Sequence, residues 1–283
     1  MNYFKTGVLL VALTLLFVWV GGMLGGRQGA IMAFALAFAM NIISYWFSDK
    51  IVLAMYRARP VSENDYPDLF RLVRSLTQGA GLPMPKVYVI AQDAPNAFAT
   101  GRSPAHAAVC VTEGILTLLD YEELKGVIAH ELGHIKNRDI LIMSVVATVA
   151  GAIMMIASMA RWAAMFGGFR SRDERGDSNV FGLIAAAILA PVAATLIQLA
   201  ISRSREYAAD KRGAQLAHSP MGLANALRKL DQAAQFKRLA GASPQTAHMF
   251  IVNPLRTDFF SKIFSTHPPV PERIKRLEEM VTG

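Results

Sequence analysis

Residues 120–160 read DYEELKGVIAHELGHIKNRDILIMSVVATVAGAIMMIASMA. Asp120 opens a predicted helix, with Glu123 three residues on in the capping-box pattern. Inside that helix His130 and His134 stand four apart, on one face, and Glu131 follows the first of them. From Ile140 to Ala160 there is no charge for 21 residues, and nothing obvious breaks the helix before that stretch. A helix patterned to hold a metal therefore runs toward a segment that can cross a hydrocarbon core about 30 Å thick. The expected fold class is mainly α, a polytopic membrane protein carrying a polar domain.

Working outward, three more uncharged stretches appear: Thr6–Gly26 and Gln28–Ser48, each of 21 residues, and Ser178–Ser202, of 25. Four candidate transmembrane helices follow. The alternative, buried helices of a soluble core, fits the first pair poorly because soluble helices rarely run so long without charge. It fits the second pair better, since these flank the chemistry. The first stretch has the basic flank of a signal peptide at Lys5, but its apolar run is long for one and a second follows after a short turn. An uncleaved hairpin anchor is the better reading.

Arginine and lysine set the orientation. One basic residue, Arg27, lies in the first turn. Lys50, Arg57 and Arg59 follow the second stretch, and Arg203, Arg205, Lys211 and Arg212 follow the fourth. Both termini and the polar segments 49–139 and 203–283 are thus expected in the cytoplasm. Arg161, Arg170, Arg172 and Arg175, between the third and fourth stretches, resist that assignment. The net charge of +8 fits anchoring near anionic lipid. No nucleic-acid motif or basic stretch interleaved with aromatics is present, so nucleic acid is not expected as a partner. The single cysteine, Cys110, excludes an intramolecular disulfide.

Between the spans, Asn64–Gln78 has helical apolar spacing and ends at Gly79, Gly81, Pro83 and Pro85. Lys86–Ile90 and Ala107–Thr112 are rich in strand formers, and a turn with Asn96, Gly101 and Pro104 separates them. These two are expected to form a small antiparallel pair. The predicted organisation is an N-terminal transmembrane hairpin over 1–50, a first half of the polar domain over 51–139, a second hairpin over 140–202, and the other half over 203–283.

Two histidines at i and i+4 reach one metal, and Glu131 sits where a carboxylate serves as general base toward water. Zinc suits imidazole and carboxylate ligands, and three protein ligands leave a position open. The third ligand is not close by: Asn137 and Ile140 stand where a Gly and a third His would extend the motif, and the third stretch holds no Glu. If the last two stretches form a helical hairpin, His134 lies about 9 Å above one end and Glu206 about 6 Å above the other, at similar heights. Asp210, one turn on, shares Glu206's face and is placed to hydrogen-bond the outer ring nitrogen of a ligand histidine. The competing reading pairs Glu206 and Asp210 with Arg203, Arg205 or Arg212 on a solvated helix. His106, His218 and His248 lack any surrounding motif. His267, in Thr266-His267-Pro268-Pro269, reads from spacing alone as a rigid turn before a short helix.

Taken together, Asn96-Ala97-Phe98-Ala99-Thr100-Gly101, His130-Glu131-Leu132-Gly133-His134 and Ser204-Arg205-Glu206-Tyr207-Ala208-Ala209-Asp210 resemble the HtpX-like membrane metallopeptidases, relatives of the CAAX prenyl proteases. The resemblance spans nearly the whole chain, from the N-terminal hairpin to His267-Pro268-Pro269. It implies a cytoplasmic gluzincin-type domain containing a small β-sheet, one Zn2+ on His130, His134 and Glu206, and Glu131 as general base. It further implies substrate lying beside the segment with Asn96, Ala97 and Phe98 and adding to the neighbouring strand edge, with His267 and Arg273 near the oxyanion. The compartment it implies is the bacterial inner membrane, and the role is hydrolysis of misfolded or damaged membrane proteins under stress. A membrane transporter is disfavoured, because the uncharged stretches hold little beyond Asn41, Gln198 and hydroxyls. A catalytically silent zinc protein that binds unfolded membrane segments would share the fold, and turnover alone separates it from a protease.

Overall fold

The computed structural model of the chain describes residues 2–150, 153, 203–236, 251 and 268–282. Its first helical run, α1 (Asn2–Met55), folds back on itself. Gly26 takes φ +57°, and Asn41 Nδ2 donates to Thr14 Oγ1 at 2.9 Å, a contact 27 residues apart in sequence. Across the bend Gly21 and Gly29 approach so closely that a Cβ on either would strike the other's carbonyl. The arms are Thr6–Trp19 and Gly26–Met55; among the described residues the second, 30 residues long, is the helix long and apolar enough to cross a membrane. Leu15, Met32, Phe34 and Phe38 each expose more than half their surface. Such an apolar surface requires lipid or another protein around it.

From the end of α1 the chain enters a four-stranded sheet of order β1-β2-β4-β3, with β1 (Arg59–Pro60), β2 (Lys86–Ile90), β3 (Ala97–Gly101) and β4 (Ala107–Thr112). Here the sequence expectation needs correction. Lys86–Ile90 and Ala107–Thr112 pair in parallel, not antiparallel, with Val87 opposite Val109. The segment expected as a turn is itself strand β3, which runs antiparallel to β4 on its other side, Ala99 opposite Val109. The reason is burial. Every residue of β3 and β4 is buried, so neither alternates, and Ala-Phe-Ala-Thr-Gly carries little strand signal of its own.

One sheet face packs on the end of α1, where Tyr56 meets Phe98 with ring centroids 5.5 Å apart. The other faces the main core, shared by α2 (Pro67–Ala80), α3 (Glu113–Leu118) and α4 (Tyr121–Asn137). Helix α2 starts at Pro67 and stops at Gly81, whose φ of +64° caps it. Helix α4 begins with the expected capping box: Asp120 accepts from the Glu123 N–H, and Glu123 accepts from the Asp120 N–H, both at 3.0 Å.

Helix α4 does not continue into the third uncharged stretch, as the sequence suggested. It ends at Asn137, Arg138 takes φ +60°, and α5 (Ile140–Ala150) starts anew. Helix α5 packs on Leu9 and Leu13 of the first arm of α1. Among the described residues, three further helices close the domain: α6 (Arg203–Ala217), α7 (Pro220–Phe236) and α8 (Val270–Thr282). Small residues let them approach α4. A Cβ at Gly126 would stand 2.6 Å from the Leu223 nitrogen, and one at Gly213 would stand 2.8 Å from the His130 Cα. The fourth uncharged stretch, the loop 161–177, His248 and His267 lie outside the described residues.

Candidate metal centre

His130, Glu131 and His134 are all buried, in the half of α4 pressed between the sheet and α6. Glu206, in the first turn of α6, is buried opposite them. One ligand atom from each of His130, His134 and Glu206 lies within 4.8 Å of the others. The two histidine Nε2 atoms are 3.2 Å apart, and the Glu206 oxygens lie 3.5 Å from His134 Nε2 and 3.9 Å from His130 Nε2.

The outer ring nitrogens explain why both Nε2 atoms point inward. Asp210 Oδ1 lies 2.9 Å from His130 Nδ1, a close contact whose hydrogen bond is bent. Asp139 Oδ2 lies 3.3 Å from His134 Nδ1. A carboxylate at Nδ1 draws the ring proton there and leaves Nε2 as a lone pair. Two such lone pairs and a carboxylate, converging away from water, fit a cation and little else. Asp139 was not anticipated in the sequence. It is five residues from His134, on a different face of any continuous helix, and only the break at Arg138 folds it back. The Asp139 N–H donates to the His134 carbonyl at 2.9 Å across that break.

Arg273, on α8, has no exposed surface. Its Nε and one terminal nitrogen donate to the two Asp210 oxygens at 2.8 and 2.7 Å, and the other terminal nitrogen donates to the Ile251 carbonyl at 2.8 Å. These bonds put Arg273 behind Asp210, whose Oδ1 also lies beside His130 Nδ1; the role that the resemblance implies for Arg273 is at the oxyanion. His106 and His218 are both exposed on the surface, and His106 bonds Ser103.

Electrostatics sort these groups. Burial pushes the Glu131 carboxyl up to about 7; His134 pulls it down, Glu206 pushes it up, and a bond from the Ala99 N–H lowers it further. Burial works against charge on His134, but Glu206 and Asp139 more than compensate and raise it to about 9, so the metal-free ring also holds a proton on Nε2 that a bound cation would displace. Burial holds His130 below its usual value. Asp210 is buried too, yet Arg273 keeps it ionised down to about 2. The pocket thus carries more negative than positive groups and draws in a cation.

Strand β3 borders the site. Asn96 O accepts from the Thr112 N–H, so residues 96, 98 and 100 face β4, and 97, 99 and 101 turn their N–H and C=O groups to the other edge. Two of those N–H groups are engaged: Ala99 with Glu131, and Gly101 with Ser144 Oγ at 3.3 Å. The Asn96 side-chain nitrogen is buried without a hydrogen-bond partner among the described residues.

Comparison with known proteins agrees with this geometry. Residues 63–281 match peptidase family M48. The chain belongs to peptidase family M48. It is 57% identical over 278 residues to "Protease HtpX homolog" of Syntrophobacter fumaroxidans, covering 98% of this chain and 99% of that one. It is 58% identical over 280 residues to the protein of the same name from Syntrophotalea carbinolica, covering 99% of each. A third relative so named, from Pyrococcus abyssi, is 54% identical over 278 residues. The fold resembles the crystal structure of S. mikatae Ste24p with a TM-score of 0.55, at 19% identity, over 98% of this chain and 65% of that one. This M48 member is a membrane metallopeptidase, with polypeptides as its substrates.

Proposed function

We propose that this M48 peptidase is a zinc-dependent endopeptidase of the bacterial inner membrane, cutting misfolded or damaged membrane proteins from the cytoplasmic side. The carrying observation is the convergence of His130, His134 and Glu206 within 4.8 Å, with Glu131 alongside. Two imidazoles and a carboxylate favour zinc, which when bound would polarise water and the scissile carbonyl as a Lewis acid. Glu131 takes the proton from the attacking water, its carboxylate oriented by the Ala99 N–H, and passes it to the leaving amine. Asp210 and Asp139 hold the two imidazoles in place, and Arg273 holds Asp210. His267 is carried over from the resemblance as the group supporting the oxyanion.

Substrate would lie along the outer edge of β3, pairing with Ala97, with Phe98 buried beneath and the Asn96 side-chain nitrogen offering a donor. Four spans are proposed, arranged as hairpins over 1–50 and 140–202 with the polar halves 51–139 and 203–283 in the cytoplasm. In favour of that, Lys50 lies over the Phe47 ring at 5.3 Å and Arg102 over Trp46 at 4.9 Å, the aromatic and basic residues of a membrane interface. The quality-control role rests on the similarity to proteins named Protease HtpX homolog.

The test is cleavage of an unfolded reporter by detergent-purified enzyme, with zinc, with chelator, and as Glu131→Gln. Cleavage that needs zinc and falls at least about 100-fold in Glu131→Gln supports the reading. Zinc-loaded Glu131→Gln that still cuts at the wild-type rate removes Glu131 from its role.

A further inference from the structure

Ser144 lies five residues into the third uncharged stretch, on α5, and has no exposed surface. A hydroxyl in an apolar helix commonly bonds back to its own helix, and Ser144 does: Oγ donates to the Ile140 carbonyl at 2.7 Å. That uses its one proton. Its two lone pairs are then taken by strand β3: Thr100 Oγ1 stands 2.8 Å away and donates, and the Gly101 N–H donates at 3.3 Å. All hydrogen-bonding capacity of this hydroxyl is spent between a membrane-directed helix and the end of the strand beside the active site.

The strand end is also where the backbone leaves its ordinary range. Gly101 takes φ +137°, and a Cβ there would strike the His106 carbonyl and stand 2.9 Å from Ala107 Cα. Such a turn persists only where its neighbours hold it. Two residues back along the same edge, the Ala99 N–H bonds Glu131. Helix α5 begins directly after Asp139, which bonds His134. One short helix therefore touches both the metal-ligand side and the strand side of the site.

We propose that Ser144 is a positioning residue for peptide cleavage. From within the third uncharged stretch it fixes Thr100 and Gly101, keeping the β3 edge in register for substrate and the Ala99 N–H on Glu131. It also marks where that edge closes: Gly101's N–H is occupied by Ser144 and Ala99's by Glu131, so an extended substrate pairs with Ala97 and the Ala99 carbonyl and is turned away at α5. This inference rests on β3 being the substrate strand and Glu131 the general base, as proposed above.

The experiment measures kcat and KM of the full-length, zinc-loaded enzyme in detergent on a long unfolded polypeptide and on a dipeptide-length amide too short to pair with β3. The variants are Ser144→Ala, Ser144→Thr, Thr100→Val and the double variant Ser144→Ala/Thr100→Val, with zinc content measured for each. Ser144→Ala is expected to lower kcat/KM on the long substrate at least tenfold, with KM raised for that substrate and not for the short one. Bound zinc should stay at one per chain, and Ser144→Thr should restore most of the loss. Thr100→Val should show the same pattern from the strand side, which covers the case of a Ser144→Ala protein that does not fold. The double variant should be no worse than Ser144→Ala within about twofold, since both changes break one shared device.

Rates within twofold of wild type in Thr100→Val and any folded Ser144→Ala, equal losses on long and short substrates, or fully multiplicative losses in the double variant overturn the proposal. Glu131→Gln run alongside separates the two readings. If it is inactive while the Ser144 and Thr100 variants behave as wild type, only the role of Ser144 falls. If it stays active, the reading of the site falls first.

Discussion

Arg273 grips Asp210 through two nitrogens, at 2.8 and 2.7 Å, with both side chains closed off from solvent. The pair sits directly behind His130, whose Nδ1 is 2.9 Å from the same Asp210. A guanidinium so placed can work through the carboxylate it holds, a positioning role that differs in its consequences from touching the reacting carbonyl.

Arg273→Lys tests that difference. Lysine keeps the charge but cannot make the forked contact with Asp210 and still reach the Ile251 carbonyl. A positioning role predicts metal affinity weakened by about 10- to 100-fold, the usual effect of disturbing a partner of a ligand histidine. An oxyanion role predicts lower kcat with metal affinity intact. Zinc titration against a competing chelator reads one, and turnover at saturating zinc reads the other. Arg273→Ala is expected to be worse, because it leaves Asp210 ionised and unpaired in the interior at a cost of about 3–5 kcal/mol.

Asp139→Asn is expected to act on the other histidine. The amide can present its NH2 rather than an oxygen to His134 Nδ1, which favours the tautomer with the proton on Nε2 and blocks ligation. The expected result is zinc affinity reduced about 10- to 100-fold with helix content unchanged. Calorimetry of zinc binding and far-UV circular dichroism on the same sample check both halves. Wild-type affinity would show that Asp139 is not what orients the ring.

How much of this was legible beforehand differs by element. The capping box at Asp120 and the spacing of His130 and His134 act over a few residues, so their pattern is written locally. Glu206 was reached by assuming two helices return to one height, which is crude geometry but enough when charged residues are few. Strand β3 was not legible: its residues are buried on both faces, so the alternation that marks a half-exposed strand is absent. The parallel pairing of β2 and β4 was lost with it. Asp139 and Ser144 were hidden for another reason. Both depend on Arg138 adopting a left-handed conformation without glycine or proline to announce it. The Asp139 side chain and N–H both bond His134 across that turn and stabilise it, and such a fold-back does not show in a helical pattern.

The close helix approach at the metal centre gives a third prediction. A methyl at Gly213 would stand 2.8 Å from both His130 N and Cα and 3.2 Å from the Ala129 carbonyl carbon. All three are backbone atoms of α4, so no side-chain rotation relieves the clash and α6 must move outward. Glu206 rides on α6, two turns away. Gly213→Ala is expected to cost about 1–3 kcal/mol, the range for overpacking, and to weaken zinc binding as well. Lys211→Ala serves as a comparison, since that side chain is exposed on the same helix. Thermal unfolding of both variants with and without zinc checks the claim; a Gly213→Ala protein as stable and as tightly loaded as wild type would refute it.

The last prediction concerns pH and follows from Glu131. Its folded-state pKa is raised to about 7, with burial as the leading cause, against 4.5 for an ordinary glutamate. A general base acts only when ionised, so kcat/KM should fall tenfold per unit as pH drops below the Glu131 pKa. A bound cation favours the ionised form, so in the loaded enzyme this acid limb should lie between about 4.5 and 7. Stability of the metal-free protein carries the opposite sign. A group with a raised folded-state pKa binds more protons folded than unfolded across the window from 4.5 to about 7, so its contribution is fullest below that window and is lost as pH rises through it. Glu131→Gln cannot ionise and escapes that loss. Metal-free Glu131→Gln should therefore match wild type near pH 4.5 and exceed it at pH 8, by on the order of 3 kcal/mol. Thermal unfolding in detergent at the two pH values, with chelator present, measures the difference. A gap that is equal at both pH values would mean that the buried charge of Glu131 is not what costs the protein its stability.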